Sequence, residues 1–282
     1  MHKITLYVTL LRPKHWIKNL LIFAAPFFAG VVFQSRSLFH AIPSFFAFCA
    51  CASTVYIIND IVDRKKDSFH PKKKSRPIAC GCVSIREALV LAALLFMLTI
   101  IVAYMMGLQF LFYTLLYLVI QAGYTFYLKD RALVDIFAIA SGFVIRVMAG
   151  GAAFDIVVSN WLLLTMFMVS LMLASGKRLG EVYLLTVNAD VHRKSLSEYT
   201  KSTLKEILVI SSSSSLIAYA LYTIEESPQL IYTVPVATFG LFRYLMVSKI
   251  GFGDPTDALF SDKWLLITLI LWMALVAIIR YN

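Results

Sequence analysis

The sequence predicts an all-α membrane protein, a bundle of nine transmembrane helices that forms one domain over residues 1–282. Two observations lead to this prediction. The composition is 60% apolar and only 15% charged, with a mean hydropathy of +0.79, whereas a soluble domain has about 45–50% apolar and about 25% charged residues. Apolar runs also recur along the chain at about the 20-residue length that crosses a bilayer as a helix. With only 12 Gly and 4 Cys, a collagen-like rod and a disulfide scaffold are excluded.

The apolar runs define the elements in order. The nine predicted spans are 16–33, 38–58, 88–106, 108–127, 133–153, 157–175, 207–224, 229–247 and 264–280. The first run follows Lys3, Arg12 and Lys14 and is long enough to remain in the membrane, so it is interpreted as a span and not as a signal peptide.

The connections between the spans predict the topology. Most charge follows spans 2, 4, 6 and 8, with long loops at 59–87 and 176–206. A cytoplasmic N-terminus leaves only Arg36 and Arg280 outside and Arg146 within a span, in agreement with the positive-inside rule. We therefore expect a multi-pass protein of the cell membrane with its C-terminus outside. Because topology accounts for the net charge of +10, and no soluble domain remains, nucleic acid is not expected as a partner.

The four cysteines form two C-x-C pairs, at Cys49 and Cys51 and at Cys80 and Cys82. Neither pair has C-x-x-C spacing and no His-x-x-x-His follows, so the pattern does not support a zinc site. We interpret all four as packing residues.

The sharpest functional signal lies at the end of the second span, in the sequence YIINDIVDRKKD. If the helix continues, five polar side chains share one stripe: Tyr56, Asn59, Asp60, Asp63 and Asp67. Neighbouring carboxylates repel unless a cation lies between them, and hard oxygen ligands suit Mg²⁺, which substrate phosphates commonly complete. The alternative is a solvated helix end whose carboxylates pair with Arg64, Lys65 and Lys66. The metal is favoured because the carboxylates directly follow an apolar span, where charge is costly.

Basic residues near this stripe indicate a substrate with several phosphates. The segment 70–81, HPKKKSRPIACG, contains four cations within five residues, among them Lys73 and Arg76. Lys/Arg can neutralise the phosphates that a metal leaves uncovered. The alternative is an ordinary positive-inside loop or a contact to lipid headgroups. Lys129, Lys177 and Arg178 lie at other cytoplasmic span ends and could close the same pocket or anchor their helices.

Arg146 is predicted near the middle of the fifth span, where an unpaired charge costs several kcal/mol, by order of magnitude. Asp135 precedes it by three helical turns and could be its partner only through a shared cavity. Structural pairing and anion binding both remain open for Arg146. No phosphate-binding P-loop, serine-hydrolase elbow or H-E-x-x-H helix occurs in the sequence.

At these residues the sequence resembles the UbiA-type intramembrane prenyltransferase superfamily, which has nine helices and an N-D-x-x-D-x-x-x-D motif after helix 2. Within it, the sequence is most similar to the polyprenyl-phosphate (decaprenyl-phosphate) phosphoribosyltransferase branch. The matching segments begin at 11–24, LRPKHWIKNLLIFA, and include 59–81, 124–146, 176–181 and 242–266. Where aromatic prenyltransferases of the superfamily carry a second Asp-rich motif, this chain has GKRLGEVYLL, with two cations and one carboxylate.

The resemblance implies a fold of UbiA type with a central polar cavity open to the cytoplasm. It implies transfer of 5-phosphoribose from phosphoribosyl pyrophosphate (PRPP) to a polyprenyl phosphate, with Mg²⁺ and release of pyrophosphate. The implied metal ligands are Asn59, Asp60 and Asp63, and the implied catalytic residues are Asp60, Asp63 and Asp67. The candidate substrate-binding residues are Lys18, Tyr56, Lys73, Arg76, Lys129, Asp135, Arg146, Lys177 and Arg178.

Two other functions are considered. One is a UbiA-type enzyme that moves a prenyl group from a prenyl diphosphate to an aromatic acceptor. The other is a transporter or flippase for an anionic lipid or solute, for which carboxylates and cations clustered at one mouth would not be expected, and no broken-helix pair is seen. The sequence leaves open whether the protein forms a homo-oligomer.

Overall fold

Helices joined by turns form the whole of the described chain, which in this computed structural model comprises residues 3–34, 37–69, 73–184, 194–248 and 255–281. No strand occurs in those ranges, so the all-α prediction is confirmed for them. Lys72 of the predicted basic run lies outside the described residues.

The chain forms thirteen α-helices in the described ranges. They are α1 Lys3–Leu11, α2 Ala24–Phe28, α3 Ser37–Val62, α4 Arg64–Ser68, α5 Ile85–Met105, α6 Leu108–Phe126, α7 Val134–Ala153, α8 Asn160–Leu184, α9 Lys194–Ser197, α10 Lys201–Glu226, α11 Val234–Ser248, α12 Pro255–Ser261 and α13 Lys263–Tyr281. Four 3₁₀ segments accompany them, at Pro13–Phe23, Lys73–Ser75, Leu128–Asp130 and Pro228–Thr233.

Eight helical segments in the described chain are long and apolar enough to cross a membrane. Seven of them contain α3, α5, α6, α7, α8, α10 and α13, and the eighth joins the 3₁₀ segment Pro228–Thr233 to α11. They correspond to the last eight of the nine spans predicted from the sequence. The protein is therefore a multi-pass membrane protein.

The first predicted span, 16–33, is not one regular helix. Its residues fall in the 3₁₀ segment Pro13–Phe23 and in α2. This segment nonetheless runs antiparallel along α3. The Trp16 Nε1 donates to Ser53 Oγ at 3.2 Å, the Asn19 Nδ2 donates to Cys49 Sγ at 3.3 Å, and the rings of Phe23 and Phe45 stack at 5.9 Å.

The N-terminal segment also packs closely on α7. A Cβ atom on Gly150 would meet the backbone carbonyl of Ile22, so glycine permits this approach of the two backbones. Ile22, Ala149 and Ile145 are buried in one apolar cluster with α3 and α6. A second cluster joins α7, α8, α10 and α11. The two clusters hold opposite sides of α7, which consequently lies at the centre of the bundle.

The cysteine prediction is confirmed for one pair and wrong for the other. Cys49 and Cys51 are buried in α3. Cys80 and Cys82 lie exposed in the turn before α5 and are joined to each other by a disulfide. The second pair is not packed because this turn lies outside the apolar helices.

Candidate active site

The stripe of acidic residues keeps its helical spacing across the boundary between α3 and α4. The amide of Asp63 donates to the Asn59 carbonyl at 2.9 Å, and the amide of Asp67 donates to the Asp63 carbonyl at 2.8 Å. These i→i−4 hydrogen bonds continue the helical path although Asp63 itself is outside both helices. Asp60 and Asp67 are buried, and the Asp63 side chain is 15% exposed.

Two arginines bind the outer carboxylates of this stripe. The Nη1 atom of Arg76 donates to both, at 2.9 Å to Asp60 Oδ1 and at 2.5 Å to Asp67 Oδ2. Arg12, at the end of α1, donates to Asp60 from the other side. Its guanidinium also stacks 4.9 Å above the Tyr56 ring, a cation–π contact. The two arginines therefore connect α1, the α3–α4 junction and the loop before α5.

The central carboxylate has a different partner. Lys129 lies in the 3₁₀ turn after α6 and donates from Nζ to Asp63 Oδ1 at 2.6 Å. The Lys129 side chain is only 7% exposed, so this ion pair is largely shielded from water. Lys73 lies 4.0 Å from Asp67 and is 41% exposed. These residues, Arg12, Asp60, Asp63, Asp67, Lys73, Arg76 and Lys129, are called the mouth cluster below.

The carboxylates of the mouth cluster pair with basic residues from distant segments. The partners are Arg12, Arg76 and Lys129 instead of the adjacent Arg64, Lys65 and Lys66 considered from the sequence, which are exposed. Within the described ranges, no three His, Cys, Asp or Glu side chains are grouped closely enough to hold a metal ion. Carboxylate oxygens that could ligate a metal are therefore present, but in this structure they are hydrogen-bonded to arginine and lysine side chains.

Four further residues predicted for the site are half-buried. Tyr56 and Asn59 are half-buried on the preceding turns of α3. Lys18 is half-buried on the 3₁₀ segment, and Lys177 is half-buried near the end of α8. Their contacts to substrate remain predictions.

Arg146 is buried in the middle of α7 and is bound by neutral groups. It donates from Nε to Asn19 Oδ1 at 2.8 Å, from Nη1 to the Gly142 carbonyl at 2.7 Å and from Nη2 to Tyr117 Oη at 2.9 Å. It forms no ion pair with a carboxylate in the described part of the chain, and Asp135, which the sequence left open as a partner, pairs with Arg178 instead. Through Asn19, Arg146 connects the N-terminal segment to α7.

Asp135 and Arg178 form a separate buried network, and their predicted contacts to substrate remain predictions. Arg178 Nε lies 2.6 Å from Asp135 Oδ2, and neither side chain has any exposed surface. Arg178 also donates to Glu181 Oε2 at 2.6 Å and to Tyr124 Oη at 2.9 Å. The Nε, Nη1 and Nη2 atoms of Arg178 therefore each donate a hydrogen bond to a protein oxygen. The two basic residues of the GKRLGE segment therefore differ in exposure: Lys177 is half-buried, whereas Arg178 is fully buried.

Tyr199 provides a further hydrogen bond to Asp135. Its Oη donates to Asp135 Oδ1 at 2.6 Å and accepts the amide of Leu133 at 2.5 Å. Burial, together with the hydrogen bond to Asp135, raises the pKa of the Tyr199 hydroxyl above its ordinary value. Tyr199 therefore stays protonated and can keep donating to Asp135.

Several of these residues were not predicted as site residues. Arg12 and Asn19 lie in the segment that carried the family resemblance, so their sequence context contained a signal. Tyr117 and Tyr199 had none, because a single tyrosine in or near an apolar span is common. Their partners lie 29 and 64 residues away along the chain.

The chain is similar in sequence to known membrane transferases. The model of the UbiA prenyltransferase family matches residues 20–259. A decaprenyl-phosphate phosphoribosyltransferase of Mycolicibacterium smegmatis is 33% identical over 288 residues, covering 96% of this chain and 91% of that protein. The corresponding protein of Corynebacterium glutamicum is 33% identical over 283 residues, covering 96% and 85%.

The fold is similar to that of a solved structure of the same kind. The structure of a UbiA homolog from Archaeoglobus fulgidus bound to GPP and Mg²⁺ superposes with a TM-score of 0.78. That similarity covers 98% of this chain and 100% of the other, at 20% sequence identity.

Proposed function

The chain belongs to the UbiA prenyltransferase family, and we propose that it transfers 5-phosphoribose from PRPP to a polyprenyl phosphate and releases pyrophosphate. The observation that carries this proposal is the 33% identity, over 96% of the chain, to decaprenyl-phosphate phosphoribosyltransferases. The mouth cluster supports it independently. Four basic side chains surround three carboxylates there, an arrangement suited to a donor that brings several phosphates to a metal.

Mg²⁺ is the proposed cofactor, held by Asn59, Asp60 and Asp63. Protein Mg²⁺ sites commonly use one or two carboxylates and are completed by water and substrate phosphates. The carboxylates of the mouth cluster, together with the Asn59 amide on the preceding turn of α3, fit this pattern, since they offer oxygen ligands without a closed cage. The UbiA homolog of Archaeoglobus fulgidus was solved bound to GPP and Mg²⁺. When bound, the ion supplies positive charge against the leaving pyrophosphate.

The basic residues of the mouth cluster have a direct part in this reaction. Before the donor binds, Lys129 and Arg76 pair with Asp63, Asp60 and Asp67. When phosphates and metal arrive, these cations can turn from the carboxylates to the phosphates, which frees carboxylate oxygens. Lys129 then stabilises the charge that develops on the pyrophosphate oxygen as the bond to the anomeric carbon breaks. Asp60, Asp63 and Asp67 are the catalytic carboxylates of this proposal.

The acceptor requires no dedicated base. The second pKa of a phosphate monoester is about 6, so the polyprenyl phosphate is largely dianionic at pH 7. Its oxygen attacks the anomeric carbon, and the bonding pair of the old C–O bond leaves with pyrophosphate. In-line attack converts the α-donor to a β-product. The surrounding helices limit water, which protects the activated sugar from hydrolysis.

We also propose the finer topology. The 3₁₀ segment and α2 together extend about 30 Å, by about 2.0 and 1.5 Å per residue, which equals the hydrocarbon thickness of a bilayer. This length and its antiparallel contacts to α3 support a ninth crossing. The positive-inside rule then puts the N-terminus and the mouth cluster on the cytoplasmic side, with the C-terminus outside.

One assay tests the function. Purified protein in detergent would receive PRPP and a polyprenyl phosphate, and we expect pyrophosphate release together with ribose label in the lipid fraction. EDTA should abolish both signals, and Mg²⁺ should restore them. A matched reaction with a prenyl diphosphate and an aromatic acid tests the alternative activity. Prenyl transfer in that reaction, without ribose transfer in the first, would contradict the proposal.

A further inference from the structure

We propose that Ser195 and Tyr199 are positioning residues that hold Lys129 in place for the donor, an inference that rests on the proposed function. Neither residue belongs to the mouth cluster, and neither touches its carboxylates in the structure. Both lie in the chain between α8 and α10, at or just after α9. Their side chains are buried, with 0% and 7% exposure.

The first link is a direct hydrogen bond to the backbone of Lys129. Ser195 Oγ lies 2.9 Å from the Lys129 carbonyl oxygen and 3.4 Å from Asp135 Oδ2. The Lys129 Nζ is bound to Asp63 at 2.6 Å. Lys129 is thus held at both ends, by a catalytic carboxylate at its ammonium group and by α9 at its backbone.

The second link fixes the turn that carries Lys129. Leu133 ends this turn with a φ of 64°, a conformation that a residue with a Cβ atom rarely adopts. The Leu133 amide donates to Tyr199 Oη at 2.5 Å, and the same hydroxyl donates to Asp135. The hydroxyl therefore bridges the strained end of the turn to the first turn of α7.

Buried groups keep this bridge rigid. Asp135 accepts from Tyr199 on one oxygen and from Arg178 on the other. Arg178 and Asp135 have no exposed surface, so water does not compete for these hydrogen bonds. The short turn that carries Lys129 is in this way attached to a fully buried arginine–aspartate pair. Positioning of this kind raises the effective concentration of a catalytic group, and small displacements are costly.

The experiment is a double-mutant cycle between Tyr199→Phe and Lys129→Ala. Tyr199→Phe removes the bridging hydroxyl and keeps the ring. We expect it to raise the KM for PRPP about tenfold in the wild-type background and to have no further effect in the Lys129→Ala background. Equal effects in both backgrounds, or no effect in either, would overturn the proposal. Tyr232→Phe, whose tyrosine is 76% exposed, is the matched control.

A second readout separates failure of this inference from failure of the proposed function. An amine-reactive reagent and mass spectrometry would measure how fast Lys129 is modified, without any substrate. We expect slow modification in wild type and faster modification in both Tyr199→Phe and Ser195→Ala. Unchanged rates in both variants would contradict positioning even if transfer is observed. Wild-type protein that releases no pyrophosphate would contradict the function alone.

If Tyr199→Phe does not fold, Ser195→Ala replaces it in the double-mutant cycle. Its matched control is Ser202→Ala, since Ser202 is exposed and hydrogen-bonded to Glu206 at 2.9 Å. The same cycle with Lys129→Ala applies, and a Ser195→Ala effect that persists without the Lys129 amine would overturn the proposal.

Discussion

The mouth cluster and the Arg178–Asp135 network contain the same kinds of groups but differ in exposure. In the mouth cluster the paired side chains of Arg76 and Lys73 are 25% and 41% exposed. In the buried network neither Arg178 nor Asp135 is exposed at all. One carboxylate of the mouth cluster, Asp60, forms ion pairs with two arginines, Arg12 and Arg76.

This difference separates exchangeable ion pairs from permanent ones. In the mouth cluster the Arg76 side chain is 25% exposed, so water or, in the proposed reaction, a donor phosphate can replace one of its carboxylate partners. In the buried network, removal of one partner leaves a desolvated charge with nothing to replace it. Groups of the same charge in this protein therefore differ in how far they are exposed to water.

The largest expected effect comes from breaking the buried pair. Arg178→Met leaves Asp135 without its main partner, and we expect a loss of about 3–5 kcal/mol in the free energy of unfolding. Thermal unfolding in detergent measures it. The double variant Arg178→Met with Asp135→Leu should recover much of this loss, because an apolar pair needs no hydration. An unchanged unfolding temperature for Arg178→Met would show that the network is not structural.

The acidic stripe should respond in activity and not in stability. We expect Asp63→Asn and Asp60→Asn each to lower turnover by about 10²–10³-fold, since charge opposite the metal is lost at the reacting centre. The unfolding temperature should stay near that of wild type. Asp257→Asn, at an exposed aspartate, is the control. Wild-type turnover in both variants would end the metal-site hypothesis.

A smaller effect is expected for Lys129, the basic residue of the mouth cluster that is paired with Asp63. Lys129→Ala removes one charged contact to the donor, so the KM for PRPP should rise about tenfold, equivalent to about 1.4 kcal/mol. Steady-state kinetics at saturating polyprenyl phosphate would measure it. Lys65→Ala, which alters an exposed neighbour, should behave as wild type. If both variants change the KM equally, the effect reflects general surface charge.

The smallest effect is expected at a surface ion pair far from both regions in sequence. Arg243 Nη2 lies 2.6 Å from Asp262 Oδ2, and this hydrogen bond holds the pKa of Asp262 below its ordinary value of 3.8. A depressed carboxylate pKa stabilises the fold above the ordinary value and loses that contribution as pH falls through the folded pKa. Asp262→Asn should therefore lower the unfolding temperature slightly at pH 7. The difference from wild type should shrink as the pH falls below 3.8, and a difference independent of pH would contradict this origin.

The sequence predicted much of the mouth cluster because local spacing fixes it. Asp60, Asp63 and Asp67 share one face through helical geometry alone, and Arg76 follows within the same loop. Their pairing with Lys129 and Arg12 was not predictable as contact, because those residues are 66 and 48 positions away from their partners. The complete burial of Arg178 was not predictable either, because the sequence shows its charge but not its surroundings.

The sequence by itself determined the helical bundle, the position of the acidic stripe and the membrane class, because these depend on periodicity and hydrophobicity within about 20 residues. Tertiary structure alone decided which cations meet which carboxylates. It brought Arg146 into contact with Asn19 and Tyr117, and it placed the Tyr199 hydroxyl within hydrogen-bond distance of Asp135. These choices depend on which helix faces pack together, and a buried polar group accepts whichever partner that packing brings within hydrogen-bond distance.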